Sequence, residues 1–238
     1  MTEEIWFLKQ CDLFRRLTPE QVQRLEPRCR SRTFKRGEPI YLPAEAADAA
    51  LVLAEGRVKI GSVTDDGKQT ILALIEPGEL FGELSVLDGS PREEFAEAAE
   101  KSTVVLVPAE AMRELVEENP SVAVGVTKLI GLRRRRIERR LKSLMFRSNR
   151  QRLVSLLTEL ADQYGEPAEA PAGATRLRIK LSHQDLASII GSTRETVTVV
   201  LGELQAEDLV EVGRRRILLK DLNKLIAAAD GPASPPNP

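Results

Sequence analysis

The stretch LSHQDLASIIGSTRETVTVVLGELQAEDLVEVGRRRILLK, residues 181–220, decides the fold of the carboxy-terminal part of this chain. It predicts two short amphipathic helices, each preceded by a capping-box pattern, Ser182-x-x-Asp185 and Ser192-x-x-Glu195. Gly191 lies between them, where a sharp turn requires a residue that tolerates a positive φ. Apolar residues at helical spacing predict the two buried faces: Leu186, Ala187 and Ile190 in the first helix, and Val197, Leu201 and Leu204 in the second.

Polar side chains at the start of the second helix indicate DNA binding, because this end meets base edges in a helix-turn-helix. Arginine can bind guanine O6 and N7 together, and glutamate can accept from cytosine N4. Residues 209–219 predict a β-hairpin wing with phosphate-binding arginines at its tip. The alternative is a small helical subdomain whose polar face is only solvated. The predicted DNA contacts are Ser182, His183, Gln184, Ser192, Thr193, Arg194, Glu195, Thr198, Val199, Arg214, Arg215 and Arg216.

Composition bounds the class of protein. The chain has 238 residues, 42% hydrophobic and 30% charged, which suits a globular protein with two modest domains. No apolar run approaches the roughly 18 residues of a membrane span, and the N-terminus lacks a signal-peptide pattern. We therefore expect a cytoplasmic protein without membrane contact.

The scarcity of histidine and cysteine argues against an enzyme and against a bound cofactor. His183 is the one histidine, and Cys11 and Cys29 are the two cysteines. They supply neither a metal site, an iron–sulfur cluster, nor a Ser-His-Asp arrangement, and no Gly-rich phosphate loop is present. We expect both cysteines to be reduced thiols, whose role, if any, the sequence leaves open.

Charge is segregated, although the net charge is only −1. Residues 133–152 are strongly basic, with Glu138 as the one acidic residue, whereas residues 76–118 are acidic. Local charge density matters more for nucleic-acid binding than the sum. The basic stretch is compatible with a solvated face, with holding DNA, or with a hinge or effector role.

The order of patterns along the chain predicts an α+β protein. Turn-separated alternating stretches between Thr33 and Val107 predict a jelly-roll β-barrel, and helices follow it. A loop at 165–175 precedes a predicted strand at 176–180. The predicted domains are an effector-sensing jelly roll at 11–120, a dimerisation helix at 121–146, a winged helix-turn-helix at 147–226, and a disordered tail at 227–238.

The long helix carries a narrow apolar stripe amid charged residues, which is typical of a helix that pairs with its own copy. The alternative is a helix that packs only on its own barrel. The predicted dimer interface consists of Val126, Leu129, Ile130, Ile137, Leu141 and Leu144.

The turn Phe81-Gly82-Glu83-Leu84, the long helix and IIGSTRETVTVVLGEL together resemble the Crp–Fnr superfamily of bacterial transcription regulators. The resemblance covers residues 11–226, and KLSHQDLASIIGSTRETVT is similar to the nitrogen-control regulators of cyanobacteria. FAEAAE at 95–100 is similar to effector-independent members. The resemblance implies a jelly roll like cyclic-nucleotide-binding domains, a homodimer on a palindromic DNA site, and RNA polymerase as a partner.

One base-reading position departs from the resemblance. Family members with a TGTGA-type half-site carry a second arginine where this chain has Val199. Valine cannot donate to guanine, although it can touch a thymine methyl group. We therefore expect a half-site other than plain TGTGA.

The implied effector pocket departs further, since Glu93 stands where the cyclic-AMP receptor grips phosphate with serine. Ile137 and Glu138 replace the pair of hydroxyl residues that contacts adenine, while Arg92 and Arg133 match the pocket arginines. We therefore expect independence from cyclic AMP. The alternatives are gating by cyclic AMP, by another small anion such as 2-oxoglutarate, by another effector, or a pocket closed by Glu93 or Glu94 pairing with Arg92 or Arg133. The candidate pocket residues are Gly82, Glu83, Leu84, Arg92, Glu93, Arg133 and Ile137.

These patterns predict a homodimeric, sequence-specific DNA-binding regulator. The alternative from another functional class is a nucleotide-sensing module that acts on a protein partner. That alternative assigns no role to the winged helix-turn-helix.

Overall fold

The computed structural model describes residue 14 and residues 17–64, 67–169, 173–213 and 216–230. Contacts divide the chain into two compact units, Met1–Arg135 and Arg136–Pro238, and the division falls within the longest helix. Several predictions lie outside the described residues: those on Cys11, Arg214, Arg215 and residues 231–238 of the tail.

The first unit contains strands and helices in the following order: α1 (Pro19–Leu25), β1 (Arg30–Phe34), β2 (Pro39–Tyr41), β3 (Ala49–Glu55), β4 (Val58–Val63), β5 (Gln69–Ile75), β6 (Leu80–Phe81), α2 (Glu83–Asp88), β7 (Phe95–Ala98), β8 (Ser102–Pro108), α3 (Ala109–Glu118) and α4 (Pro120–Phe146), of which α4 continues beyond the unit. The strands form two four-stranded antiparallel sheets, with strand orders β1-β8-β3-β6 and β2-β7-β4-β5.

One apolar cluster fills the space between the two sheets, with Phe34, Leu53, Ile60, Ile75 and Phe81 among its members. A second cluster covers the opposite face of the β1-β8-β3-β6 sheet with helices α1 to α4. Strand β3 is therefore buried on both faces, which explains its continuous apolar sequence. The unit is a β-sandwich backed by helices.

The first half of α4 belongs to this helical layer. Val126 is 3% exposed, and Leu129 and Ile130 pack against the same cluster. Val126 was predicted in the dimer interface, but it contributes to the core of its own unit and has almost no surface left for a second copy. The apolar stripe therefore serves its own domain along this half of the helix.

The second unit consists, after the end of α4, of α5 (Asn149–Tyr164), β9 (Gly165–Pro167), β10 (Thr175–Leu177), α6 (His183–Ile190), α7 (Arg194–Ala206), β11 (Val210–Gly213), β12 (Arg216–Leu219) and α8 (Leu222–Ala227). Its helices pack on a small antiparallel sheet of order β11-β12-β10-β9. Its core includes Leu157, Leu186, Leu201, Leu204 and Leu219.

Four boundaries differ from the sequence predictions. The tail was predicted to be disordered from residue 227, but α8 ends at Ala227 and Ala228–Asp230 form a 3₁₀ turn. Residues 165–167 form a strand, because they pair with β10, whereas a loop was predicted. Strand β10 ends at Leu177 instead of Lys180. Helix α7 is capped by Thr193 and not by Ser192, because the Thr193 side chain accepts from the Thr196 backbone N–H.

Within the described part of the chain, no helix is long and apolar enough to cross a membrane. The same residues contain no cluster of three or more His, Cys, Asp or Glu side chains that could hold a metal ion.

Candidate nucleic-acid interface

Helices α6 and α7 form a helix-turn-helix around Gly191. Ser182 and Asp185 make the predicted capping box at the start of α6. Gly191 has φ +64°, and a Cβ there would lie 2.7 Å from Leu144, so the turn requires glycine. Arg152 of α5 donates to the carbonyl oxygens of Ile190 at 2.8 Å and Gly191 at 3.2 Å. The turn is therefore fixed by a cap, by a glycine and by an arginine from a third helix.

The predicted inner faces are confirmed. The side chains that face inward are Leu186, Ala187 and Ile190 on α6 and Val197, Leu201 and Leu204 on α7, all of them buried. Their burial leaves the opposite face of α7 to solvent. Arg194, Glu195 and Thr198 are exposed there, and Val199 is 60% exposed. The polar first turn of α7 is therefore accessible to a partner as large as DNA.

An open cavity of about 460 Å³ joins the start of α6, the start of α7 and the first strand of the wing. It brings Arg194 together with three predicted DNA contacts from the start of α6, namely Ser182, His183 and Gln184. His183 Nδ1 also lies 2.8 Å from Thr198 Oγ1. Ser192 and Thr193 lie between the two helices, and Thr193 is the N-cap of α7.

The wing is a β-hairpin as predicted, with Val210 paired to Leu219 and Gly213 paired to Arg216. Arg216 is exposed. The two arginines at the tip, Arg214 and Arg215, lie outside the described residues.

The basic stretch lines a second cavity of about 450 Å³ inside the second unit. Arg136, Arg139 and Arg140 line it together with Arg147 and Arg152. Burial lowers the pKa of Arg140 and of Arg152, because a charged group loses hydration there. Arg136 lies 3.7 Å from Glu159 of α5, so part of this charge is compensated within the chain.

In the first unit, the turn at Gly82 contains three of the predicted effector-pocket residues, Gly82, Glu83 and Leu84. Gly82 has φ +65°, and a Cβ there would approach the Arg92 guanidinium to 2.8 Å. Glu83 is 1% exposed, and both its carboxylate oxygens accept from Arg133 Nη1, at 2.9 and 3.1 Å. Arg133 also donates to the Leu80 carbonyl. The arginine from α4 is therefore already paired.

Arg92 is 5% exposed and donates to the carbonyl oxygens of Gly82 and Ala49. Its guanidinium lies 4.4 Å from the centre of the Tyr41 ring, a cation–π distance. Burial lowers the pKa of Arg92, but arginine remains charged at any physiological pH. Burial, and next the nearby carboxylate of Glu94, raise the pKa of Tyr41, so the ring stays a neutral partner.

The prediction that Glu93 or Glu94 pairs with the pocket arginines is wrong. Glu83 pairs with Arg133, Glu93 is exposed, and Glu94 accepts from the Tyr41 hydroxyl at 3.4 Å. Burial, followed by the charge of Glu83, raises the pKa of Glu94. Glu83 is the partner of Arg133 because the turn at Gly82 places the Glu83 carboxylate beside α4.

The remaining predicted pocket and interface residues are exposed. Leu84 is turned to solvent at the start of α2. Ile137, Leu141 and Leu144 lie on the second half of α4 and are exposed, as are Met145 and Phe146 at its end.

Sequence reasoning missed Tyr41 and Arg152. Tyr41 had no local signal beyond an aromatic residue in a short strand, and Arg152 was counted only as part of the basic stretch. Both act through partners that are many residues away, so only the tertiary structure identifies them.

Two family models match this chain, one in each unit. The model of the cyclic nucleotide-binding domain matches residues 31–119, and that of the Crp-like helix-turn-helix domain matches residues 151–228. The global nitrogen regulator of Synechococcus elongatus is 36% identical over 186 residues, which cover 77% of this chain and 82% of that protein. The chain belongs to the Crp–Fnr family. It is a DNA-binding transcription regulator and not an enzyme.

Other Crp–Fnr proteins match nearly the whole chain. The CRP-like cAMP-activated global transcriptional regulator of Mycobacterium tuberculosis is 26% identical over 222 residues, which cover 93% of this chain and 98% of that protein. The crystal structure of a CRP/FNR-family transcriptional regulator from Thermus thermophilus is 31% identical. It covers 85% of this chain and 99% of its own, with a TM-score of 0.67. The α+β fold predicted from the sequence is thereby confirmed.

Proposed function

We propose that this Crp–Fnr regulator is a homodimer that reads a palindromic DNA site and does not require cyclic AMP. Two copies of α7 reach successive major grooves one helical turn apart, as in other helix-turn-helix dimers. RNA polymerase is the further partner, and the cytoplasm is where such a protein acts.

The start of α7 supports the DNA-reading part of the proposal. Arg194 and Glu195 are exposed on the first turn, where their side chains can reach base edges. The cavity beside them is bounded by the wing and by the start of α6, both suited to phosphate contacts that set register. Arg194 and Glu195 are therefore the proposed sequence readers, with Thr198 and Val199 on the next turn.

The paired pocket arginines carry the proposal of effector independence. Arg133 is held by Glu83 and the Leu80 carbonyl, and Arg92 by two carbonyls and the Tyr41 ring. An entering anion would have to replace these contacts, and the buried carboxylate of Glu83 would repel it. The pocket's own groups therefore make the contacts to Arg92 and Arg133 that a bound effector would otherwise make.

An effector-gated regulator is the second candidate, and one observation favours it. Arg92 Nε is buried and has no hydrogen-bond partner among the described residues. A buried unsatisfied donor costs about 1–3 kcal/mol, which a small anion would recover. The names of the relatives do not decide between the two, because one is cAMP-activated and another is a nitrogen regulator.

Selection of bound sites from random DNA by the purified apo-protein tests the DNA-reading part of the proposal. The expected result is an inverted repeat whose half-sites are centred one helical turn apart. Repeating the selection with cyclic AMP and with 2-oxoglutarate should return the same motif with the same enrichment. A motif recovered only with one of these ligands would favour the effector-gated candidate, and no enrichment under any condition would contradict DNA reading.

A further inference from the structure

His183 is hydrogen-bonded to α7, the recognition helix of the proposed DNA reading, and the neighbouring atoms fix the direction of this bond. Its Nδ1 lies 2.8 Å from Thr198 Oγ1, and that same hydroxyl donates to the Arg194 carbonyl at 2.9 Å. A carbonyl can only accept, so the single hydroxyl hydrogen of Thr198 is used there. Thr198 Oγ1 must therefore accept from His183, and Nδ1 must carry a hydrogen.

This assignment leaves Nε2 on the opposite edge of the ring. In a neutral imidazole with Nδ1–H, Nε2 has a lone pair and can only accept, whereas in imidazolium it donates. His183 is half-buried and lines the open cavity that Ser182, Gln184 and Arg194 also line. A phosphate oxygen of DNA is an acceptor, so a ring that contacts it through Nε2 must be protonated.

Among the described residues, no charged group on the elements around the ring makes a hydrogen bond to Nε2. On α6 itself, Asp185 accepts from the Ser182 backbone N–H at 2.8 Å and from its hydroxyl at 2.7 Å. Helix α7 carries Arg194, which lines the same cavity, and Glu195. The wing carries Glu211 and Arg216, and neither lines the cavity. The ring thus faces an open, partly cationic cavity.

We propose that His183 binds DNA as an imidazolium: Nδ1–H positions the Thr198 hydroxyl on the recognition helix, and Nε2–H donates to a backbone phosphate. Both ring nitrogens of His183 consequently carry a hydrogen in the complex. The inference rests on the proposed DNA-binding function and adds the protonation state of one contacting side chain.

The chain is suited to a direct test, because His183 is its one histidine and histidine is the side chain that ordinarily titrates between about pH 5 and 8. Affinity for the selected palindrome should be measured at about pH 8 and about pH 6, at constant ionic strength. The wild type should bind about fivefold more tightly at the lower pH. His183→Asn is the matched control, since its amide N–H replaces Nδ1–H toward Thr198 but cannot titrate, and its affinity should not change with pH.

Nitrogen-15 NMR of the ring gives a second readout that does not depend on a variant. The free protein near pH 8 should show the Nδ1–H tautomer, and the complex with DNA should show a ring protonated at both nitrogens. An Nε2–H tautomer in the free protein overturns the inference. So does specific binding by the wild type that is the same at both pH values, or a pH dependence that His183→Asn retains; the proposed function survives all three results. If the wild type shows no specific DNA binding at both pH values, the proposed function itself is overturned.

Discussion

At the scale of single residues, the proposed DNA reading depends on a few side chains that a capped helix start holds in place. Thr193 ends the turn and fixes the first residues of α7, so Arg194 and Glu195 are presented on a rigid element. A preorganised side chain loses less entropy when it binds. The identity of these residues, more than their number, should therefore determine which bases are selected.

Arg194→Ala should weaken binding to the selected palindrome by about 1–3 kcal/mol, because a bidentate contact to guanine is lost. Binding to random DNA, which depends on phosphate contacts, should barely change. Competition titrations at one salt concentration measure both. Arg178→Ala is the control, an exposed arginine of the same unit that was not predicted to contact DNA. Equal losses on specific and random DNA would show that Arg194 contacts only phosphate.

Val199→Arg should shift the selected half-site toward one that contains an additional guanine. Val199 is exposed on α7 one turn beyond Glu195, and an arginine there gains the guanine contact that valine cannot make. Site selection with the wild type and the variant in parallel is the measurement. Identical motifs from both proteins would mean that residue 199 does not reach a base pair.

The limits of prediction are also visible at the scale of residues. The capping box of Ser182 and Asp185 was predicted because it is local, but Ser192 and Thr193 are adjacent and both can cap, so the sequence could not separate them. The pairing of Glu83 with Arg133 joins residues 50 positions apart. No local pattern encodes which of several glutamates the tertiary fold brings to an arginine.

At the scale of elements, helix α4 has two different halves. The first half completes the core of the first unit through Val122 and Val126, whereas the second half exposes Ile137, Leu141 and Leu144. A helix that exposes large apolar side chains in succession has an incompletely buried face. We therefore propose that the exposed second half forms the seam of the proposed homodimer.

Leu141→Asp should dissociate the dimer, because it places two unpaired carboxylates at a two-fold seam at a cost of several kcal/mol. Leu141 is 56% exposed in the single chain, so the fold of the monomer should tolerate the change. Val124→Asp is the matched control, a similarly exposed valine off the predicted stripe of the same helix. Sedimentation should give a monomer for the first variant and a dimer for the second. A dimer of Leu141→Asp with unchanged mass would place the seam elsewhere.

Elements with strong local signals were predictable, and elements defined by pairing were not. The helix-turn-helix and the wing follow from caps, apolar spacing and turn residues. Strand β9 has only three residues and exists through its pairing with β10, so its sequence GEP carries no strand pattern. The stripe of α4 predicted an apolar partner, but periodicity alone could not tell a second copy from the helix's own sandwich.

At the scale of the whole molecule, the chain combines a cyclic nucleotide-binding domain with a Crp-like helix-turn-helix domain. In the first of these, the predicted anion-binding arginines already bind protein groups. Internal pairing removes much of the free energy that a ligand could contribute, and a ligand shifts an equilibrium only by its differential affinity for the two states. Cyclic AMP should therefore have little influence on DNA binding.

The most direct test is a titration of the selected palindrome with purified apo-protein, with and without millimolar cyclic AMP at one salt concentration. We predict binding in the nanomolar range, about 10⁻⁸ M or tighter, without any ligand, and the same dissociation constant with cyclic AMP. A tenfold or greater tightening by cyclic AMP, about 1.4 kcal/mol of coupling, would contradict the account and make the chain a nucleotide-gated regulator.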